Sequence, residues 1–124
     1  MDSTSLGQRF VDGLSRKDSS ELLSILSPEV DFRGMTPGRF WEAQDSTVVV
    51  NDILLGEWFE PTDSVSEVLA VETAEVGHRN RVGYRLIVEN PDGRFLVEQQ
   101  AYYEQQGNQI GWLRVMCCGM LQIQ

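Results

Sequence analysis

The stretch from Val82 to Gln122 constrains this chain more than any other. It reads as three strands in succession joined by two tight turns. The first strand is Arg81–Glu89, the turn Asn90-Pro91-Asp92-Gly93, and the second strand Arg94–Glu104. A second turn at Gly107-Asn108 leads into Gln109–Gly119. With Pro91-Asp92 as a two-residue loop, Glu89 falls opposite Arg94 and Arg85 opposite Glu98, so both cross-strand pairs carry opposite charges. Side chains alternate along a strand, which sets Val82, Tyr84, Leu86 and Val88 on one face with Phe95, Val97, Gln99, Ala101 and Tyr103. With Gly107-Asn108 as the second loop, that face continues through Trp112, Arg114, Met116 and Cys118. It is mostly apolar, and Tyr84, Gln99, Tyr103 and Arg114 are its polar members. Arg81, Arg85, Glu98, Gln100, Tyr102, Leu113, Val115 and Cys117 take the other face. A slip of one residue in either turn exchanges these sets along the affected strand.

The preceding residues read as elements that lie across one face of that unit. Leu6, Phe10 and Leu14 recur every four residues, which predicts a helix over Ser3–Arg16. Asp18-Ser19-Ser20-Glu21 has capping-box form and opens a short second helix that buries Leu22, Leu23, Ile25 and Leu26. Ser27-Pro28 stops it. Glu29–Gly34 follows as a short strand, with Val30 and Phe32 on one side. Thr36-Pro37-Gly38-Arg39 resembles an N-cap with proline in the first helical position, predicting a single helical turn over Arg39–Gln44. A third helix is expected over Thr47–Gly56, with Val50, Ile53 and Leu54 at helical spacing. Ser64–Gly77 reads as a long strand with poorly separated faces, either bulged or buried on both sides.

With 124 residues the chain fits one domain, residues 1–124, with enough length for a real core. Nineteen acidic against ten basic residues, a formal charge of −9, oppose binding to nucleic-acid phosphates or an anionic membrane. No apolar run approaches a membrane span, and Met1-Asp2-Ser3-Thr4 has neither a basic segment nor an apolar core, so a cytoplasmic location is expected. Cys117 and Cys118 are neighbours and point to opposite faces of a strand, which strains any disulfide between them. They read as small buried hydrophobes, and the lone His78 as a solvated turn residue. No metal site or cofactor is expected.

The order helix, helix, short strand, helix and four long strands resembles the nuclear transport factor 2-like superfamily. Its members include SnoaL-like polyketide cyclases, ketosteroid isomerase and limonene-epoxide hydrolase. Three pieces carry the resemblance: Leu22-Leu23-Ser24-Ile25-Leu26-Ser27-Pro28-Glu29-Val30-Asp31-Phe32, the hairpin Asn90-Pro91-Asp92-Gly93, and Gly107-Asn108-Gln109-Ile110 before a last strand. Arg114-Val115-Met116-Cys117-Cys118-Gly119 is similar to the end of many bacterial members. The resemblance implies an α+β, cystatin-like fold: a cone-shaped curved antiparallel sheet wrapped by three N-terminal helices. It also implies a mostly apolar pocket and a homodimer formed through the outer sheet face. Its enzymatic motifs are broken here. Ketosteroid isomerase-like members place a carboxylate base just after the first strand, where this chain has Arg33 or Gly34, and the last strand offers Arg114 where hydrolase-like members have an acid.

The expected function is therefore binding of a hydrophobic small molecule, with catalytic residues unassigned. Arg114 reads as a clamp for a ligand anion or as half of an ion pair with Glu42, Glu57 or Glu60. Tyr84, Gln99 and Tyr103 are the other polar pocket candidates, with Trp41, Trp58 and Trp112 as walls and Cys118 at the end of the same face. A second reading is a cyclase, isomerase or hydratase acting on a hydrophobic carbonyl compound, with Asp31, Glu42 or Tyr84 moving the proton. A third is an interaction module that uses its outer face.

Overall fold

The protein was analysed as a computed structural model that describes residues 5–123. Ser3 and Thr4, the expected start of the first helix, lie outside the described residues. Among these residues the order is α1 (Leu6–Arg16), α2 (Ser19–Ile25), β1 (Leu26–Thr36), β2 (Arg39–Ala43), a π-helix (Val48–Trp58), β3 (Ser64–Val76), β4 (Arg79–Asn90), β5 (Gly93–Gln106), β6 (Gln109–Cys117) and β7 (Leu121–Ile123). The strands form one open curved sheet in the order β2-β1-β6-β5-β4-β3, and β7 pairs with the start of β5. All neighbours are antiparallel except β1 and β6, which run parallel. The helices cover one face: α1 packs on β3 and β4, and α2 on β1, β6 and the π-helix.

Local chemistry accounts for each boundary. Ser5 caps α1 by accepting from the Gln8 N–H at 3.1 Å, and Lys17 ends it in the left-handed conformation, φ 52°. Gly13 brings α1 close to α2, because a Cβ there would stand 2.8 Å from Leu22 Cδ2. Asp18 caps α2 through the Glu21 N–H, as its capping-box form predicts. The chain then enters β1 at once, three residues earlier than expected.

Two expectations change. Arg39–Gln44 is not a helical turn, because Pro37-Gly38 closes a hairpin in which Thr36 pairs with Arg39 and Gly38 takes φ +79°. The third helix exists but is a π-helix, in which each N–H reaches back five residues, and it runs on to Trp58. Gly56 sits where that winding leaves no room, since a Cβ would meet the Asn51 carbonyl oxygen at 2.7 Å. Of the two readings of Ser64–Gly77 the bulged one holds, with β3 bulging between Val65 and Glu67 and between Val68 and Ala70. As the edge strand it is largely exposed, not buried on both sides.

The central hairpin follows its sequence: Asn90 pairs with Gly93, Glu89 with Arg94 and Arg85 with Glu98. Val82, Tyr84, Leu86, Val88, Val97, Gln99, Ala101 and Tyr103 are all buried beneath the helices. The second turn also forms where expected, with Gln106 opposite Gln109. Beyond it the register shifts, because Gln105 pairs with Ile110 and Glu104 with Trp112, leaving Gly111 out of the ladder. Leu113, Val115 and Cys117 thus turn inward, and Trp112, Arg114 and Met116 turn to the open face.

Tyr103 docks α1 onto this sheet. Its buried hydroxyl accepts from the Gly7 N–H at 2.9 Å, one of the donors that a helix start leaves without an internal partner. Replacing Tyr103 with Phe removes that acceptor and should lower stability by about 1–2 kcal/mol in urea unfolding. An unchanged midpoint would show that solvent satisfies the Gly7 N–H equally well.

Candidate functional site

Between the C-terminal end of the π-helix and the covered face of the sheet lies a cavity of about 380 Å³. Trp41, Trp58, Phe59, Val97, Gln99 and Cys117 are among its walls. The sheet supplies Gln99 and Cys117 as partners in the β5–β6 register, and the π-helix supplies Trp58 as its last residue. Trp58 packs in the angle between β1 and β2. Its ring centroid lies 5.9 Å from that of Phe32 and 6.2 Å from that of Trp41, the latter nearly perpendicular. Gly34 makes this possible, since a Cβ there would lie 2.6 Å from Trp58 Cη2.

The polar groups of the inner wall form a short chain. The Tyr84 hydroxyl donates to Gln99 Oε1 at 2.5 Å, and Gln99 in turn hydrogen-bonds the Cys117 thiol. Burial pushes the Tyr84 hydroxyl well above its ordinary range, with Cys117 adding to the effect. Burial also pushes the Cys117 thiol up, against the hydrogen bond from Gln99. All three groups therefore stay uncharged at neutral pH. Gln99 lines the cavity, whereas Tyr84 stands behind it and fixes the amide.

One polar atom has no such partner. Trp58 is 7 % exposed, and its Nε1–H has no acceptor among the described residues. The Trp41 Nε1–H, by contrast, donates to Thr36 Oγ1 at 2.8 Å. An indole donor desolvated without an acceptor is costly.

The Gly111 bulge carries three expected pocket residues to the open face. Arg114 lies outside, where Nη1 donates to the Asp31 carbonyl oxygen at 2.8 Å and sits 3.3 Å from Asp31 Oδ1. Its ion-pair partner is Asp31, not Glu42, Glu57 or Glu60. Trp112 is outside too, with the guanidinium carbons of Arg79 and Arg114 at 4.2 and 4.3 Å from its ring. Cys118 is exposed, and its sulfur accepts from the Glu98 N–H at 3.2 Å. Tyr103 is inside but serves α1. Of the eight candidates the structure gathers Trp41, Trp58 and Gln99 at the cavity, with Tyr84 behind Gln99. It adds Cys117, which the expected register had put outside. His78 is an exposed turn residue, 3.1 Å from Glu104 Oε2. Among the described residues no cluster of His, Cys, Asp and Glu is arranged to hold a metal, and no helix is long and apolar enough to cross a membrane.

A second concavity, about 610 Å³, opens on the other side of the sheet. Met35, Phe40, Tyr102, Arg114 and Met116 line it. All four of its large apolar side chains are well exposed.

This architecture is shared with known structures. A nuclear transport factor 2-like protein from Burkholderia thailandensis superposes with a TM-score of 0.65 at 11 % identity, covering 92 % of this chain and 91 % of its own. The fold is that of nuclear transport factor 2-like proteins. An LEH-like epoxide hydrolase from M. tuberculosis gives 0.67 at 12 % identity over 90 % of this chain and 79 % of that one. AusH from Aspergillus nidulans gives 0.64 at 15 % identity over 87 % and 77 %. No protein-family model matches the sequence, and no curated protein matches it.

The contact between Gly34 and Trp58 is testable. Gly34→Ala forces the indole out of its slot and should cost about 1–3 kcal/mol, with a change in tryptophan emission. Native stability and an unchanged spectrum would mean that the slot has slack.

Proposed function

We propose that this protein binds a hydrophobic small molecule in the cavity beneath its π-helix. The observation that carries the reading is the cavity of about 380 Å³ itself, walled by Trp41, Trp58, Phe59 and Val97 with the buried Gln99 amide among them. Aromatic and aliphatic walls with a few fixed polar groups are the usual make-up of a ligand site. Trp41 and Trp58 supply the flat walls and Gln99 the oriented amide. The structural neighbours, an epoxide hydrolase among them, fit a fold used to enclose small molecules, though fold alone assigns no activity. Proton transfer gains no such support from the three groups named for it. Asp31 is engaged by Arg114, Glu42 is exposed, and Tyr84 lies behind Gln99 with its proton held.

A thermal-shift screen of apolar ketones and esters tests this. At least one should raise the melting temperature by several degrees. Trp41→Ala removes one flat wall of the cavity and should weaken that compound about tenfold. Undiminished binding by Trp41→Ala would sink the assignment.

The open face is proposed as the contact between two copies. Met35, Phe40, Tyr102 and Met116 form an exposed apolar group there, which a solitary soluble chain rarely maintains. Light scattering should return twice the chain mass, and Met116→Glu should return one. A wild-type protein that stays monomeric into the millimolar range would remove this reading.

A further inference from the structure

The segment Val48–Trp58 carries two inward stripes, and its winding chooses between them. At α spacing, the positions three, four and seven residues beyond Val50 are Ile53, Leu54 and Glu57. An α-helix that buries Val50, Ile53 and Leu54 therefore turns Glu57 toward the core as well. The π-helix closes each bond one residue further back, so its turn is wider and its stripe advances in steps of about four to five residues. Val49, then Ile53 and Leu54, then Trp58 recur at those steps. All four are buried, and Glu57 is exposed.

Two missing side chains hold the wider winding. The first is at position 56. The Phe59 N–H bonds the Leu54 carbonyl at 2.9 Å, five residues back, and a Cβ on Gly56 would meet the Asn51 carbonyl oxygen at 2.7 Å. An α-helix, by contrast, prefers alanine to glycine. The second is at position 34, where the absent Cβ opens the slot in which Trp58 packs against Phe32 and Trp41. One feature opposes them: seated there, the indole Nε1–H is desolvated with no acceptor among the described residues.

We infer that this helix is a two-register element of the cavity wall. Wound as π it presents the Trp58 indole; wound as α it withdraws the indole and presents the Glu57 carboxylate. Both residues border the cavity. The cavity's buried carboxylate, Asp63, is committed to the Asn90 amide and the Glu60 N–H, both at 2.8 Å. Glu60 and Asp92 are exposed. Glu57 has no hydrogen bond or ion pair among the described residues, so rewinding brings in an acid free to exchange a proton or to face a cationic group. A ligand that fits one register better than the other shifts the helix toward it.

Through-hydrogen-bond NMR couplings on the whole chain read the winding. In the wild type the Phe59 amide nitrogen should couple to the Leu54 carbonyl carbon. In Gly56→Ala it should couple to that of Leu55, and tryptophan emission should shift to the red. The Glu57 carboxyl should then titrate at higher pH than in the wild type, because burial and the neighbouring carboxylates both oppose its charge. Glu57→Leu leaves Gly56 untouched and completes the α stripe, so it should move the same coupling to Leu55. An unchanged Leu54 coupling in either folded variant overturns the inference, and Glu57→Leu decides alone if Gly56→Ala does not fold. Rewinding with Trp58 still in its slot, or with the Glu57 titration unmoved, overturns the exchange of side chains. These readouts need no ligand, so the two registers can fail while the cavity still binds, and the reverse.

Discussion

Ile110 and Leu113 are both buried although three residues apart on one strand, which strict alternation forbids. The contradiction is resolved by Gly111, which drops out of the ladder and lets the strand change phase. Everything the hollow of the sheet presents follows from that change. Leu113 and Val115 join the core, Cys117 comes within reach of Gln99, and a guanidinium that would have been buried is delivered to the surface. Without the bulge, burying Arg114 would require a partner inside, and none of the groups lining the cavity is free to pair with it at depth.

The same glycine marks how far the residues alone could be read. The paired charges Glu89 with Arg94 and Arg85 with Glu98 fix the first hairpin, and its inward face is legible except at Phe95, which is only half-buried. The second turn is legible as well. The phase change is not, because an isolated glycine in a strand signals a bulge without saying that one occurs. The spacing of Ile110, Leu113 and Val115 held the information, as it fits one face only if a residue is skipped. Pro37-Gly38 misleads for a related reason: proline followed by glycine suits a helix start and a hairpin turn alike, and the cross-strand pairing of Thr36 with Arg39 decides. Trp58 was legible as a wall residue but not as a helix end, since nothing local distinguishes a π-helix from an α-helix in Val48–Gly56.

Positions 33 and 34 show why the resemblance could inform the fold and not the chemistry. Arg33 is exposed, 4.0 Å from Glu42. Gly34 faces inward, where its missing side chain is replaced by the edge of the Trp58 ring. An acid at position 34 would collide with that indole. The inner wall is neutral at this point, and the Tyr84–Gln99–Cys117 chain orients the Gln99 amide without placing a charge in the core.

The two flanks of the sheet bear on how copies of this chain can meet. A partner that extended the main ladder would add beside β2, only five residues long, or beside β3, whose two bulges break the spacing of free N–H and C=O groups. Glu67, Glu72 and Glu75 further repel a like strand along that border. Both features discourage growth of a continuous sheet from molecule to molecule at these two margins.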